Sequence, residues 1–155
     1  MIRWYYISFM TLLCGLYGFR IAGQYVQREW PQSWLPPAGM WYSGDLGYSY
    51  LLAIQVLILI FMLVTTWRAG AHHITPRSWK RRLCQIAGWG YLVVILAQMI
   101  PGISFPPDAA WLAHAFPLFF QMILAIYIIT LGIYLTYDAA RRKEHYFQGY
   151  GAPDS

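Results

Sequence analysis

The stretch LLAIQVLILIFMLVTTW, Leu51 to Trp67, runs for seventeen residues without a charge. A segment of that length and character is hard to place in a water-soluble domain, because it has no face to offer to solvent. It suits a bilayer, where about 20 mainly apolar residues cross a hydrocarbon core roughly 30 Å thick. The rest of the chain agrees. Of its 155 residues 59% are apolar, 19% are aromatic and only 11% are charged, whereas an ordinary soluble domain is about 25% charged. These figures exclude a soluble enzyme, a disordered chain and a disulfide scaffold.

Four segments are predicted to span: about Trp4–Ala22, Gly47–Trp67, Leu83–Ile103 and Trp111–Tyr137. Backbone groups in hydrocarbon must satisfy one another, and segments this long do so as helices. Barrel strands would be nearer ten residues, with apolar and polar side chains alternating, and no such alternation is present. The predicted fold is therefore an all-α membrane protein, a four-helix transmembrane bundle over residues 1–143 with a mobile tail over 144–155. Pro153, Gly149 and Gly151 give that tail its character.

Basic residues set the predicted orientation. Arg3, Arg68, Arg77, Lys80, Arg81, Arg82, Arg141, Arg142 and Lys143 fall on one side, nine of the eleven Lys and Arg. The positive-inside rule makes that side cytoplasmic, with both termini inside. The net charge of +5 is then chiefly a topology signal and an attraction to anionic lipid. Nucleic acid is not an expected partner, because no basic face interleaved with stacking aromatics is present. An apolar first segment after Arg3 also resembles a signal peptide. Arg20 just before the small residues Ala22 and Gly23, and Leu13 directly before Cys14, argue for a retained helix instead.

The long connection from about Gly23 to Leu46 is predicted to lie on the outer side. Pro31, Pro36 and Pro37 interrupt any helix there, and Trp30, Trp34, Trp41 and Tyr42 favour the headgroup level. An ordered aromatic loop over the outer end of the bundle is expected. Cys14, Gly18 and Ala22 recur every four residues on the first span, a spacing that admits a neighbouring helix closely. Pro117 is expected to kink the fourth span.

Polar side chains within spans are costly, so they are the first candidates for function. Arg20, Gln55, Gln98 and Gln121 stand on four different helices, all in the outer half. Convergent, they form a pocket for the head of a lipid, a quinone or an anionic small molecule. Separate, the glutamines are interhelical glue worth about 0.6 kcal/mol each, and Arg20 snorkels to the surface. A weaker outer-mouth cluster joins Asp45, Asp108 and His114.

Other chemistry is thinly supplied. His72 and His73 adjoin each other in an inner loop, and no two histidines share a depth within the spans, as paired haem or zinc ligands would. Cys14 and Cys84 are predicted at different depths, which disfavours a disulfide, and no C-x-x-C occurs. There is no phosphate-binding Gly-rich loop, nucleophile elbow or H-E-x-x-H motif. No catalytic residue, metal or cofactor is expected.

Three runs carry a resemblance: LPPAGMWYSG (Leu35 to Gly44), YSYLLAIQ (Tyr48 to Gln55) and FPLFFQMILA (Phe116 to Ala125). They resemble a family of small, uncharacterised bacterial four-span membrane proteins. In that family a His stands where this chain has Gln121, and another stands near Tyr134, so the resemblance gives no support to a metal-dependent role here. It implies a bacterial inner membrane and no particular activity. The functional expectation is an accessory or scaffold subunit of a membrane complex. Its partners would be lipids and either another membrane protein or a second copy of the chain. The alternative is a binding module for a lipid, quinone or other amphipathic ligand.

Overall fold

In a computed structural model the chain forms four helices: α1 (Ile2–Glu29), α2 (Tyr48–Gly70), α3 (Ser78–Gln98) and α4 (Trp111–Tyr150). The structure describes residues 2–33, 48–71, 77–100 and 111–150, with side chains over 3–33, 48–71, 77–100 and 117–142. Asp45, Asp108, most of the aromatic connection and residues 151–155 lie outside the described residues, as does the side chain of His114.

The burial pattern of α2 shows which solvent this fold is built for. Its buried residues are Gln55, Met62, Thr66 and Ala69, one narrow stripe at helical spacing. Leu57, Phe61 and Val64 point outward and are exposed. A helix that puts glutamine and threonine inside and leucine and phenylalanine outside fits hydrocarbon, not water. Three helical segments are long and apolar enough to cross a membrane: Arg3–Glu29, Tyr48–Gly70 and Pro117–Arg142.

The third of these is the axis of the bundle. α4 packs against α1 on one side and α3 on the other, and α1 also packs on α2. Met10, Leu13, Cys14 and Tyr17 of α1 meet Met62 of α2 and Ile123 and Tyr127 of α4 in the main core. A smaller core joins Ile95 of α3 to Leu118 and Ala125 of α4. α2 and α3 make no close backbone approach among the described residues.

Glycine sets the distance between α3 and α4. A Cβ on Gly88 would lie 2.7 Å from Ile129 Cγ1 and 3.0 Å from the Ile129 backbone N. One on Gly132 would meet Gln85 Cγ at 3.0 Å. Two glycines facing each other's helices thus let the backbones come close, as small residues do in membranes. The expected small stripe on α1 plays a lesser part. A Cβ on Gly18 would sit at an ordinary 3.6 Å from Leu59 Cδ2, and Ala22 is exposed.

At the arginine-rich end the chain ties off α2. The last four carbonyls of a helix lack partners within it. Here the Arg3 guanidinium donates to the Gly70 carbonyl, and the Tyr134 hydroxyl donates to the Ala69 carbonyl at 2.9 Å. Together the bonds fix the start of α1 and the middle of α4 against the end of α2.

The bounds of three helices differ from expectation. α1 does not stop at Ala22 but runs to Glu29, because no proline intervenes before Pro31 and its inward face continues. α3 begins at Ser78 and ends at Gln98, short of Ile103, with Pro101 and Gly102 next in sequence to oppose further helix. It opens with Lys80, Arg81 and Arg82 and does not meet the measure that the other three helices meet. α4 continues to Tyr150, past the expected end of the span at Tyr137. Pro117 lies inside it without ending it.

Candidate functional site

The inward face of α1 reads Met10, Leu13, Tyr17, Arg20, Gln24 and Gln27, steps of three and four that keep one side of a helix in register. Its lower part is apolar and its upper part is polar. Because the face does not rotate away, the three polar residues are carried into the bundle. Arg20 is 6% exposed, Gln24 2% and Gln27 7%.

Facing them, α2 supplies Gln55, 4% exposed. Its level follows from two contacts: Arg28 stacks over the Tyr48 ring at 3.9 Å, and Leu59 lies against Gly18. Gln55, between Tyr48 and Leu59, therefore stands beside the turn of α1 that holds Ile21 to Gln24. From α4, Phe120 places its ring 5.3 Å from the Arg20 guanidinium carbon. Gln121 follows it at the same level and is half-buried.

The structure thus buries Arg20 and Gln55 at about one level of the bundle, with Gln121 half-buried on α4 at that level. Gln98 is not with them. It is the last residue of α3 and is exposed. Burial also decides how Arg20 is held: a guanidinium at 6% exposure is enclosed, so the side chain does not snorkel. Gln24 and Gln27 are additions. The sequence carries their signal in the spacing 20, 24, 27, which continues the stripe 10, 13, 17 beyond the expected end of the span.

These side chains are incompletely satisfied. Among the described residues, Arg20 Nε, Gln24 Oε1, Gln24 Nε2 and Gln55 Oε1 are buried without a hydrogen-bond partner. Gln27 is different, since its Oε1 accepts from the Gln32 backbone N–H at 2.9 Å and fastens the chain where α1 ends. An unpaired buried polar group costs about 1–3 kcal/mol, and more if charged. Four such atoms at one level call for partners from outside the described protein groups.

A second polar group, nearer the arginine-rich end, is complete. The Tyr127 hydroxyl donates to the Met62 carbonyl at 2.7 Å. It therefore accepts from Thr66 Oγ1, 2.9 Å away, and Thr66 in turn accepts from Cys14 Sγ at 3.6 Å. The chain Cys14–Thr66–Tyr127–Met62 joins α1, α2 and α4 in one direction. Cys14 and Thr66 also line a groove of about 480 Å³ between α1 and α2, together with Trp4, Ile7, Leu63 and Trp67.

Both cysteines are free thiols. Among the described residues no group of three His, Cys, Asp or Glu side chains gathers as metal ligands do. The acids that are described sit elsewhere: Glu29 lies 3.8 Å from Arg28, and Asp138 pairs with Arg142 at 2.9 Å. Comparison with protein-family models, with curated proteins and with solved structures gives no match to this chain. The fold and the site therefore rest on the residues themselves: a multi-span helical membrane protein with buried polar atoms that are unpaired among the described residues, toward the end opposite the arginine-rich one.

Proposed function

We propose that this chain is a multi-pass protein of the bacterial inner membrane, with both termini cytoplasmic. Its outer half binds the head of an amphipathic ligand, and all four helices cross, α3 with its Lys80, Arg81 and Arg82 side chains reaching to the interface. One observation carries the binding reading. Arg20, Gln24 and Gln55 lie at about one level with donors and acceptors that are buried and, among the described residues, unpaired. Interhelical glue would pair these groups with one another, and membrane glutamines serving only as glue have every reason to do so. A ligand head entering between α1, α2 and α4 satisfies them instead.

The test is purification in mild detergent followed by identification of what co-purifies. A bound amphiphile at near-stoichiometric amount is expected, and the double variant Gln24→Leu, Gln55→Leu should lose it. Unchanged retention in a folded double variant refutes the site.

A second reading, an accessory or scaffold subunit, draws on the outer faces of α1 and α3. Gly15 and Gly90 meet nothing within 4 Å of a Cβ position, so both faces leave room for another helix. A stoichiometric protein partner after gentle extraction supports that reading, and a monomer with none counts against it.

A further inference from the structure

The unpaired atoms specify what kind of head the site takes, an inference that rests on the binding reading above. Two of them are donors, Arg20 Nε and Gln24 Nε2, and two are acceptors, Gln24 Oε1 and Gln55 Oε1. The donor side includes a guanidinium, which remains charged in proteins. Enclosed in a medium of low dielectric, that charge calls for an opposite one. Phe120 offers only a ring face. Among the described residues no carboxylate pairs with Arg20, since Glu29 and Asp138 are engaged by Arg28 and Arg142.

The acceptor side narrows the choice further. Two amide oxygens need O–H or N–H donors, and these must come from the same head that brings the anion. A quinone ring offers carbonyl acceptors and no charge. An ionised fatty acid offers charge and no donor. A long-chain alcohol offers a donor and no charge. A phosphate ester carrying free hydroxyls offers all three features.

Depth agrees. Arg20 is seventeen residues beyond Arg3, roughly 26 Å along the helix at 1.5 Å per residue. With Arg3 at one boundary of a hydrocarbon core about 30 Å thick, Arg20 comes close to the opposite boundary. That is where the phosphate and backbone oxygens of lipids of the far leaflet begin. Phe19 and Ile54, exposed beside the site, give acyl chains an apolar surface to descend along.

We infer that the cluster of Arg20, Gln24 and Gln55 holds an anionic phosphate head that also bears hydroxyl groups. The phosphate oxygens take the Arg20 and Gln24 donors, and the hydroxyls give hydrogen bonds to Gln24 Oε1 and Gln55 Oε1. Charge-assisted bonds to the guanidinium supply most of the affinity, and the amide oxygens supply the selection for a hydroxylated head.

The experiment is native mass spectrometry of the full chain in detergent with four added probes. They are a short-chain phosphatidylglycerol, a fatty acid of equal chain length, a short-chain ubiquinone, and glycerol phosphate without chains. Phosphatidylglycerol is expected to bind about tenfold or more tightly than the fatty acid or the quinone, the change that one hydrogen bond to a charged group brings. Gln55→Leu, a small change that leaves the charge in place, should reduce the preference over the fatty acid. Arg20→Met should abolish phosphatidylglycerol binding while the variant still unfolds cooperatively. Should Arg20→Met fail to fold, Gln55→Leu decides.

Equal binding of all three amphiphiles, lost in Gln55→Leu, overturns the head chemistry and leaves the site in place. Binding indifferent to both variants, or no binding of any probe, overturns the head chemistry and the binding reading together. Glycerol phosphate binding as tightly as phosphatidylglycerol upholds the head chemistry and refutes a membrane ligand.

Discussion

The same three helices meet at two levels, and they treat polar groups in opposite ways. Nearer the arginine-rich end, Cys14, Thr66, Tyr127 and the Met62 carbonyl form a closed chain in which each buried hydroxyl has a partner. Toward the far end, Arg20, Gln24 and Gln55 are buried as deeply and leave four atoms unpaired among the described residues. Burial alone therefore does not distinguish a structural polar group from a functional one. Satisfaction does. The closed level uses side chains with a single rotatable O–H or S–H, each of which reaches the next, the last ending on the Met62 carbonyl. The open level uses long side chains with fixed charge or several donors and acceptors, which three helices at this spacing leave unmatched.

That contrast implies opposite responses to mutation. The largest change is expected at the open level. Arg20→Met removes an uncompensated buried charge and should raise stability by about 1–4 kcal/mol in discs of neutral lipid, since well-packed apolar replacements of buried charges are often stabilising. Unfolding followed by circular dichroism measures it, and a loss of more than 1.4 kcal/mol, tenfold in the equilibrium constant, would place Arg20 in a satisfied network after all.

Next comes a change that spares both levels. Gly88→Leu forces side-chain atoms into Ile129, whose backbone N would already lie 3.0 Å from a Cβ, and should cost about 1–3 kcal/mol by overpacking. It should loosen α3 from α4 while Cys14, held by α1, α2 and α4, keeps its protection from thiol reagents. Rapid labelling of Cys14 in that variant would show that α3 is integral to the core.

The smallest effect is expected at the closed level. Tyr127→Phe removes one hydroxyl from a complete chain and should destabilise by about 1 kcal/mol. A neutral or stabilising result in the same unfolding assay would erase the distinction between the levels.

Much of this was legible in the sequence, for reasons that differ by residue. Leu51 to Trp67 announces a span because composition alone decides it. Arg20 and Gln55 stand out because polar atoms in apolar runs are conspicuous. Gln24 and Gln27 escaped notice, since the apolar run fades at Ala22 and only the stripe of spacing shows that the helix continues. Gln98 illustrates the converse. Its depth matches the others, but depth says nothing of azimuth, and α3 turns it outward. Tyr127 and Thr66 gave no sign of their pairing, because a hydroxyl bond between residues sixty-one apart depends on how helices cross. The glycine contact of α3 with α4 was hidden for the same reason, while the small stripe on α1, though visible, carries less of the packing. Asp45, Asp108 and the side chain of His114 lie outside the described residues and stand as the sequence left them.

The most direct test follows two arginine Nε–H groups by nitrogen-15 NMR in lipid nanodiscs. Arg142 Nε already donates to Asp138 at 2.9 Å, whereas Arg20 Nε has no partner among the described residues. On replacing a neutral lipid by one containing phosphatidylglycerol, the Arg20 resonance should move downfield and exchange more slowly with water, and the Arg142 resonance should stay where it is. An Arg20 signal that ignores the lipid, or one that shifts no more than that of Arg142, would contradict the account.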